Sequence, residues 1–182
     1  MSEDTFMSLG DAMASAYSSK GDICDRAFLA RAHGMRALPS EMRAEAIREV
    51  EKVIHLCESP IEQVALYQFA GFNFGNDEHP SRARVLRKRG EIEHYPDLIH
   101  FIPQAVFGRF RLDFLIDAGS MLFALECDGQ EFHQQQWRDR QRDDILLRDY
   151  RVKVYRVPGT SIWAGGNHVH TIASIVKGSV FP

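Results

Sequence analysis

Apolar residues fall into two regimes along the chain, with the change near Leu98. Before it the spacing is helical. Met42, Ile47, Val50, Ile54 and Cys57 recur every three to five positions, the period of one helix face, and Ser40 stands where an N-cap is expected after Pro39. On this pattern residues 1–57 read as helical. Ser59-Pro60-Ile61-Glu62 then carries a helix start, with Ser at the N-cap, Pro at the first helical position and Glu two residues on. The expected core face of that helix is Val64, Leu66, Tyr67 and Phe69, and a polar loop follows from Gly71 to Ser81.

Beyond Leu98 the runs become short and β-favouring. Leu98–Val106, Arg109–Asp117 and Met121–Cys127 are separated by Gly108 and by Ala118-Gly119-Ser120. Trp137–Tyr150 favours a helix, Val152–Val157 a strand ended by Pro158-Gly159, and Asn167–Lys177 a last helix stopped by Gly178. The order predicts an α/β or α+β fold, with a mixed sheet of about four strands flanked by helices. Two parts are expected: a helical N-terminal extension over 1–57 and a main domain over 58–182.

Composition narrows the classes. A length of 182 residues suits one domain with an extension, and 45% hydrophobic with 26% charged residues excludes general disorder. The net charge of −3 excludes a wholesale polycation but leaves room for a local patch. Arg82, Arg84, Arg87, Lys88 and Arg89 make such a cluster, readable as phosphate contacts or as a solvated charge run. Cys24, Cys57 and Cys127 fit neither a disulfide framework nor a zinc knuckle. The N-terminus lacks a signal-peptide pattern, and no apolar run approaches the roughly 20 residues that span a bilayer. A soluble, cytoplasmic protein of a reducing compartment is expected, without membrane association.

The chemistry concentrates around Gly119-Ser120. A two-residue loop with Gly first suits a type II′ hairpin, which sets Asp113 opposite Glu126 and Arg111 opposite Asp128, all on one face. Like charges directly opposed destabilise a sheet. A divalent cation such as Mg²⁺ would turn the repulsion into ligation, with the backbone carbonyl of Cys127 as a further ligand. Alternatively, Arg111 neutralises Asp128 while Asp113 and Glu126 share a proton. His133, five residues past Asp128, is either a base for an attacking water or an exposed loop residue. Glu62 is fully explained as a capping-box acid worth about 1 kcal/mol. It can serve a site as well only if its helix end points at the sheet.

Glu62, Gln104, Arg111-Leu112-Asp113-Phe114, Leu125-Glu126-Cys127-Asp128-Gly129 and His133 together resemble the very-short-patch-repair-like endonucleases. These belong to the PD-(D/E)XK, or restriction-endonuclease-like, superfamily. The resemblance continues through Arg138-Asp139-Arg140-Gln141-Arg142-Asp143 to Val154-Tyr155-Arg156-Val157, covering roughly Glu58 to the C-terminus. It implies a restriction-endonuclease-like core of helix, three strands, helix and strand. Asp113 and Glu126 would ligate Mg²⁺ or Mn²⁺, with Glu62 approaching from the first helix. Gln104 would position water or backbone, and Arg142 would grip a phosphate. Leu112 replaces the Pro of the name motif, and Asp128 stands where the superfamily carries its catalytic Lys, which moves weight onto His133.

The expectation is a metal-dependent endonuclease acting on DNA, with a homodimer favoured if both strands are cut. Two alternatives differ in kind. One is a non-catalytic nucleic-acid-binding module that kept the fold. The other is an interaction protein that docks through the Met42–Cys57 stripe.

Overall fold

In the computed structural model of the chain, which describes residues 38–94, 99–119, 121–128, 136–164 and 167–180, one mixed sheet organises an α+β fold. Its strands are β1 (Arg84–Val85), β2 (His100–Phe107), β3 (Phe110–Asp117), β4 (Leu122–Asp128) and β5 (Val152–Pro158), in that spatial order. The sheet therefore has five strands rather than about four. The additional strand, β1, is two residues long and pairs parallel to His100 and Phe101. Two residues show no alternation, so nothing in the pattern marks it. Strands β2, β3 and β4 form an antiparallel meander, and β5 returns parallel to β4 after the crossover helix α3 (Gln136–Tyr150).

The other α-helices among the described residues are α1 (Ser40–Val53), α2 (Pro60–Ala70), α4 (Gly159–Ala164) and α5 (Asn167–Val180). They bury Val50, Phe69, Ile162 and Ile172 on one face of the sheet, against Phe101, Phe114, Phe123 and Leu125. On the other face Leu146 of α3 packs with Ile102, Leu115, Ala124 and Val152. Among the described residues no helix is long and apolar enough to cross a membrane.

Several local expectations shift. Pro39, not Ser40, is the N-cap of α1, and no side chain caps that end. The buried face of α1 is Ala46, Glu49, Val50 and Val53. A charged residue sits in the stripe because Arg82 meets it there, as described below. This face packs on the protein's own core, which is a different use from docking a partner. Gly159 opens α4, and α5 runs through Gly178 to Val180. By contrast α2 starts as expected, with the Ser59 side chain accepting from the Glu62 N–H.

The loop before β1 is tied by Asn73, which is buried. Its Oδ1 accepts from the N–H groups of Gly75 and Ser81 at 2.9 and 3.0 Å. A Cβ on Gly75 would lie 2.0 Å from the His79 carbonyl oxygen and 2.8 Å from the Ser81 nitrogen, both backbone atoms. Gly75→Ala is expected to cost about 3 kcal/mol, the upper part of the overpacking range. In a chain of this length that lowers the thermal midpoint by about 6–12 °C, measurable by circular dichroism. An unchanged midpoint would mean that the loop opens freely.

The β2–β3 hairpin is bent, and this matters for the site. Alternate residues of a regular strand share a face. Yet Phe114 and Ile116 lie in the core beneath α1 and α2, while Leu112 lies in the opposite one. Ile102 likewise shares a core with Ala105 and Phe107. The alternation slips by one residue at Gln104 in β2 and at Asp113 in β3, between the pairs Pro103–Phe114 and Ala105–Leu112. Gln104 takes φ +52°, a left-handed conformation uncommon for a residue with a side chain. A straight strand would separate Phe110 from Asp117 by about 23 Å. Arg89 nevertheless lies 4.0 Å from the Asp117 carboxylate and 5.7 Å from the ring of Phe107, the partner of Phe110.

Candidate active site at the bend of the central hairpin

Register comes first. Strands β3 and β4 pair Phe114 with Leu125 through to Asp117 with Leu122, and the Ala118 N–H is accepted by the Met121 carbonyl. This is the alignment read from the Gly119-Ser120 loop, and Gly119 has φ +74°. Continued by one step, it sets Asp113 against Glu126. There the slip intervenes, because the Cys127 N–H is accepted at 2.8 Å by the carboxylate Oδ2 of Asp113. A side chain thus takes a backbone donor at the point where the hairpin bends.

Three carboxylates converge on this corner. Glu62 reaches it from the first turn of α2 and is buried. Its Oε1 accepts from the Ser59 hydroxyl at 2.6 Å, and its Oε2 from the Glu58 N–H at 2.9 Å and from Gln104 Nε2 at 2.8 Å. The capping acid therefore does face the sheet, and left-handed Gln104 is the residue that meets it. Backbone strain of about 1–3 kcal/mol persists where surrounding structure enforces it, commonly at functional sites.

Asp113 registers the crowding. Burial pushes its carboxyl up to about 7; Glu126 and Glu62 add to the rise, while the Cys127 N–H and Arg142 oppose it. Glu126 is buried on β4 and is gripped by Arg142 of α3, Nη1 to Oε2 and Nη2 to Oε1, both at 2.9 Å. The Cys57 thiol is pushed up to about 12 by burial and by Glu62 and Asp113. Cys127 is driven higher still, chiefly by burial. Neither thiol is a nucleophile near neutral pH, since only the thiolate attacks.

The other residues singled out from sequence are placed elsewhere. Asp128 belongs to a separate cluster with Asp139, Asp143 and Arg156, and burial raises its carboxyl. Arg156 holds Asp143 through both guanidinium nitrogens. Arg111 bonds Glu58, not Asp128. His133 lies outside the described residues.

The basic cluster divides. Arg82 is buried against Glu49 at 2.7 Å and Glu45 at 3.0 Å, and Arg84 reaches the same two acids. These two arginines are structural ties between α1 and β1 rather than surface phosphate contacts. Arg87, Lys88 and Arg89 are exposed.

Among the partnerships that sequence reasoning missed are Arg142 with Glu126, Gln104 with Glu62, Glu58 with Arg111 and Arg82 with Glu49. No spacing rule joins residues from different elements. Among the described residues no three His, Cys, Asp or Glu side chains form a ready-made metal cage. The donor chemistry still suits a hard cation: Asp113 keeps Oδ1 outside its bond to Cys127, and Glu126 supplies a second carboxylate, paired in this structure with Arg142. Compared with known proteins, the chain matches no family model, no curated protein and no solved structure.

Proposed function

We propose that this protein is a Mg²⁺- or Mn²⁺-dependent endonuclease of the restriction-endonuclease-like, very-short-patch-repair-like kind, hydrolysing phosphodiester bonds in DNA. One observation carries the reading. Asp113 is half-buried beside two further carboxylates, at a strained bend of the sheet, with its carboxyl pushed up to about 7 by desolvation first and then by those neighbours. A divalent cation would relieve that repulsion.

Asp113 and Glu126 would hold the ion, with the Cys127 carbonyl as a further ligand. When bound, the ion would polarise the phosphoryl oxygen and lower the pKa of a water. Glu62 is fixed by Ser59, the Glu58 N–H and Gln104, so it would complete or tune the site from its edge. His133 is the proposed base, and Asp128 tunes the site from the adjoining cluster. Arg142 and the exposed Arg87, Lys88 and Arg89 would meet phosphates. Cutting both strands needs two such sites, which a homodimer would bring together.

The test is cleavage of supercoiled plasmid in EDTA, Mg²⁺ or Mn²⁺, comparing the full chain with Glu126→Ala. Nicking is expected only with metal, and it should be lost in the variant. Equal nicking by both proteins would remove Glu126 from the site. Salt-sensitive DNA binding without cleavage, from folded protein, would instead support the non-catalytic binding module.

A further inference from the structure

Glu126 already has a cation. The Arg142 fork occupies both carboxylate oxygens at 2.9 Å, and Nη2 also donates to the Arg111 backbone oxygen at 2.7 Å. The pair is shielded, with the Arg142 and Glu126 side chains 21% and 11% exposed. Two parallel charge-assisted bonds away from bulk water make a strong pair. Asp113 is held differently, by the neutral N–H of Cys127. One guanidinium therefore serves two neighbouring carboxylates and is committed to one of them.

We propose that Arg142 holds the place of the divalent cation on Glu126, and that its release couples cation binding to phosphodiester binding. This rests on the metal-dependent reading above. An ion that chelates both oxygens of Glu126 must take the lone pairs that the fork now holds. The freed guanidinium has lost both carboxylate acceptors and keeps the Arg111 carbonyl at most, and a phosphodiester presents two oxygens of matching geometry. Conversely, a phosphodiester that draws Arg142 away exposes Glu126 to the ion. By linkage, each ligand strengthens the other by the same factor.

The exchange needs only a side-chain movement. Helix α3 stays on the sheet through the Arg156–Asp143 pair and through Leu146, fully buried one turn beyond Arg142. Arg142 is thus more than a surface phosphate contact, since its position reports whether the carboxylates are loaded.

The experiment measures Mn²⁺ binding by the electron paramagnetic resonance of free Mn²⁺, without DNA, for the full chain, Arg142→Gln and Arg142→Lys. Arg142→Gln should bind Mn²⁺ about tenfold more tightly, a common size for coupled sites. Arg142→Lys should fall between, because an ammonium cannot fork a carboxylate. It also decides the matter if the Gln variant fails to fold.

In a second arm, Ca²⁺ should strengthen binding of a fluorescent DNA duplex to the native chain by about tenfold, and the effect should vanish in Arg142→Gln. Weaker or equal Mn²⁺ binding by the variants would overturn the exchange. If the native chain nicks plasmid with Mg²⁺ yet shows that result, only the exchange falls. If no protein binds Mn²⁺, both the exchange and the metal-dependent reading fall.

Discussion

On the proposed nuclease reading, Asp113→Asn is expected to abolish DNA cleavage, by about a thousandfold or more, while making the metal-free protein more stable at pH 8. The two effects share one cause. In the folded protein the Asp113 carboxyl is pushed from 3.8 to about 7, chiefly by burial and then by Glu126 and Glu62. Between these values the native state holds a proton that the unfolded chain has released. Stability therefore falls as pH rises through this window, by at most about 1.4 kcal/mol per pH unit, and is flat above it. Water at the partly exposed carboxyl screens some of the cost, so a total of about 2–4 kcal/mol is expected.

Asparagine cannot ionise, and its side-chain oxygen can still accept from the Cys127 N–H. Urea unfolding in EDTA at pH 4, 6 and 8 should show the native chain losing stability across the series, with the variant lacking that decline. Parallel behaviour of the two proteins would mean that Asp113 ionises normally, and the electrostatic argument for a cation would lose its ground. A residue that destabilises the fold while serving the site matches the usual opposition of stability and activity.

Glu49→Ala should be among the most damaging single changes outside the site, costing about 3–5 kcal/mol. Glu49 is buried on α1, and both its oxygens accept from Arg82, at 2.7 and 2.9 Å. One of them also accepts from the Val85 N–H at 3.0 Å, which ties the helix to β1. Without it, Arg82 keeps Glu45, whose side chain is 49% exposed, and a long 3.4 Å bond to the Ala83 carbonyl, and the Val85 N–H loses its acceptor. A buried charge stripped of its partner is the costly case.

Replacing both partners is different. Glu49→Leu combined with Arg82→Met should recover part of the loss, because the buried pair is removed together, while Arg84 retains Glu45 and the Val85 N–H still lacks its acceptor. Thermal melts of the single and double variants make the comparison. A mild effect of Glu49→Ala, below about 1 kcal/mol, would mean that Arg82 readily reaches water or another acid.

The fate of the arginines shows how the sequence misleads. Arg82 and Arg84 lie among five closely spaced basic residues and read as one patch, yet two of them turn inward to Glu45 and Glu49. The apolar stripe on α1 likewise omitted Glu49, since a charge looks out of place on a buried face until its counter-charge is known. Gln104 carried no sign of its left-handed backbone, because the residue type alone does not ask for one. The bend follows from the two cores that the hairpin joins.

What the sequence determined by itself is short in range. The Ser59 N-cap of α2, the order of strands and helix from β2 to β5, and the register that carries Asp113 towards Glu126 all follow from neighbours a few residues apart or across one tight loop, whereas the short helix α4 after β5 escapes the pattern. Local backbone preference and side-chain alternation are enough to specify them. The tertiary structure alone decided which charges meet. Glu49 and Arg82 are 33 residues apart, Gln104 and Glu62 are 42 apart, and Arg142 and Glu126 are 16 apart on different elements. Long side chains take whichever counter-charge packing brings within a few ångströms, and desolvation makes that choice binding.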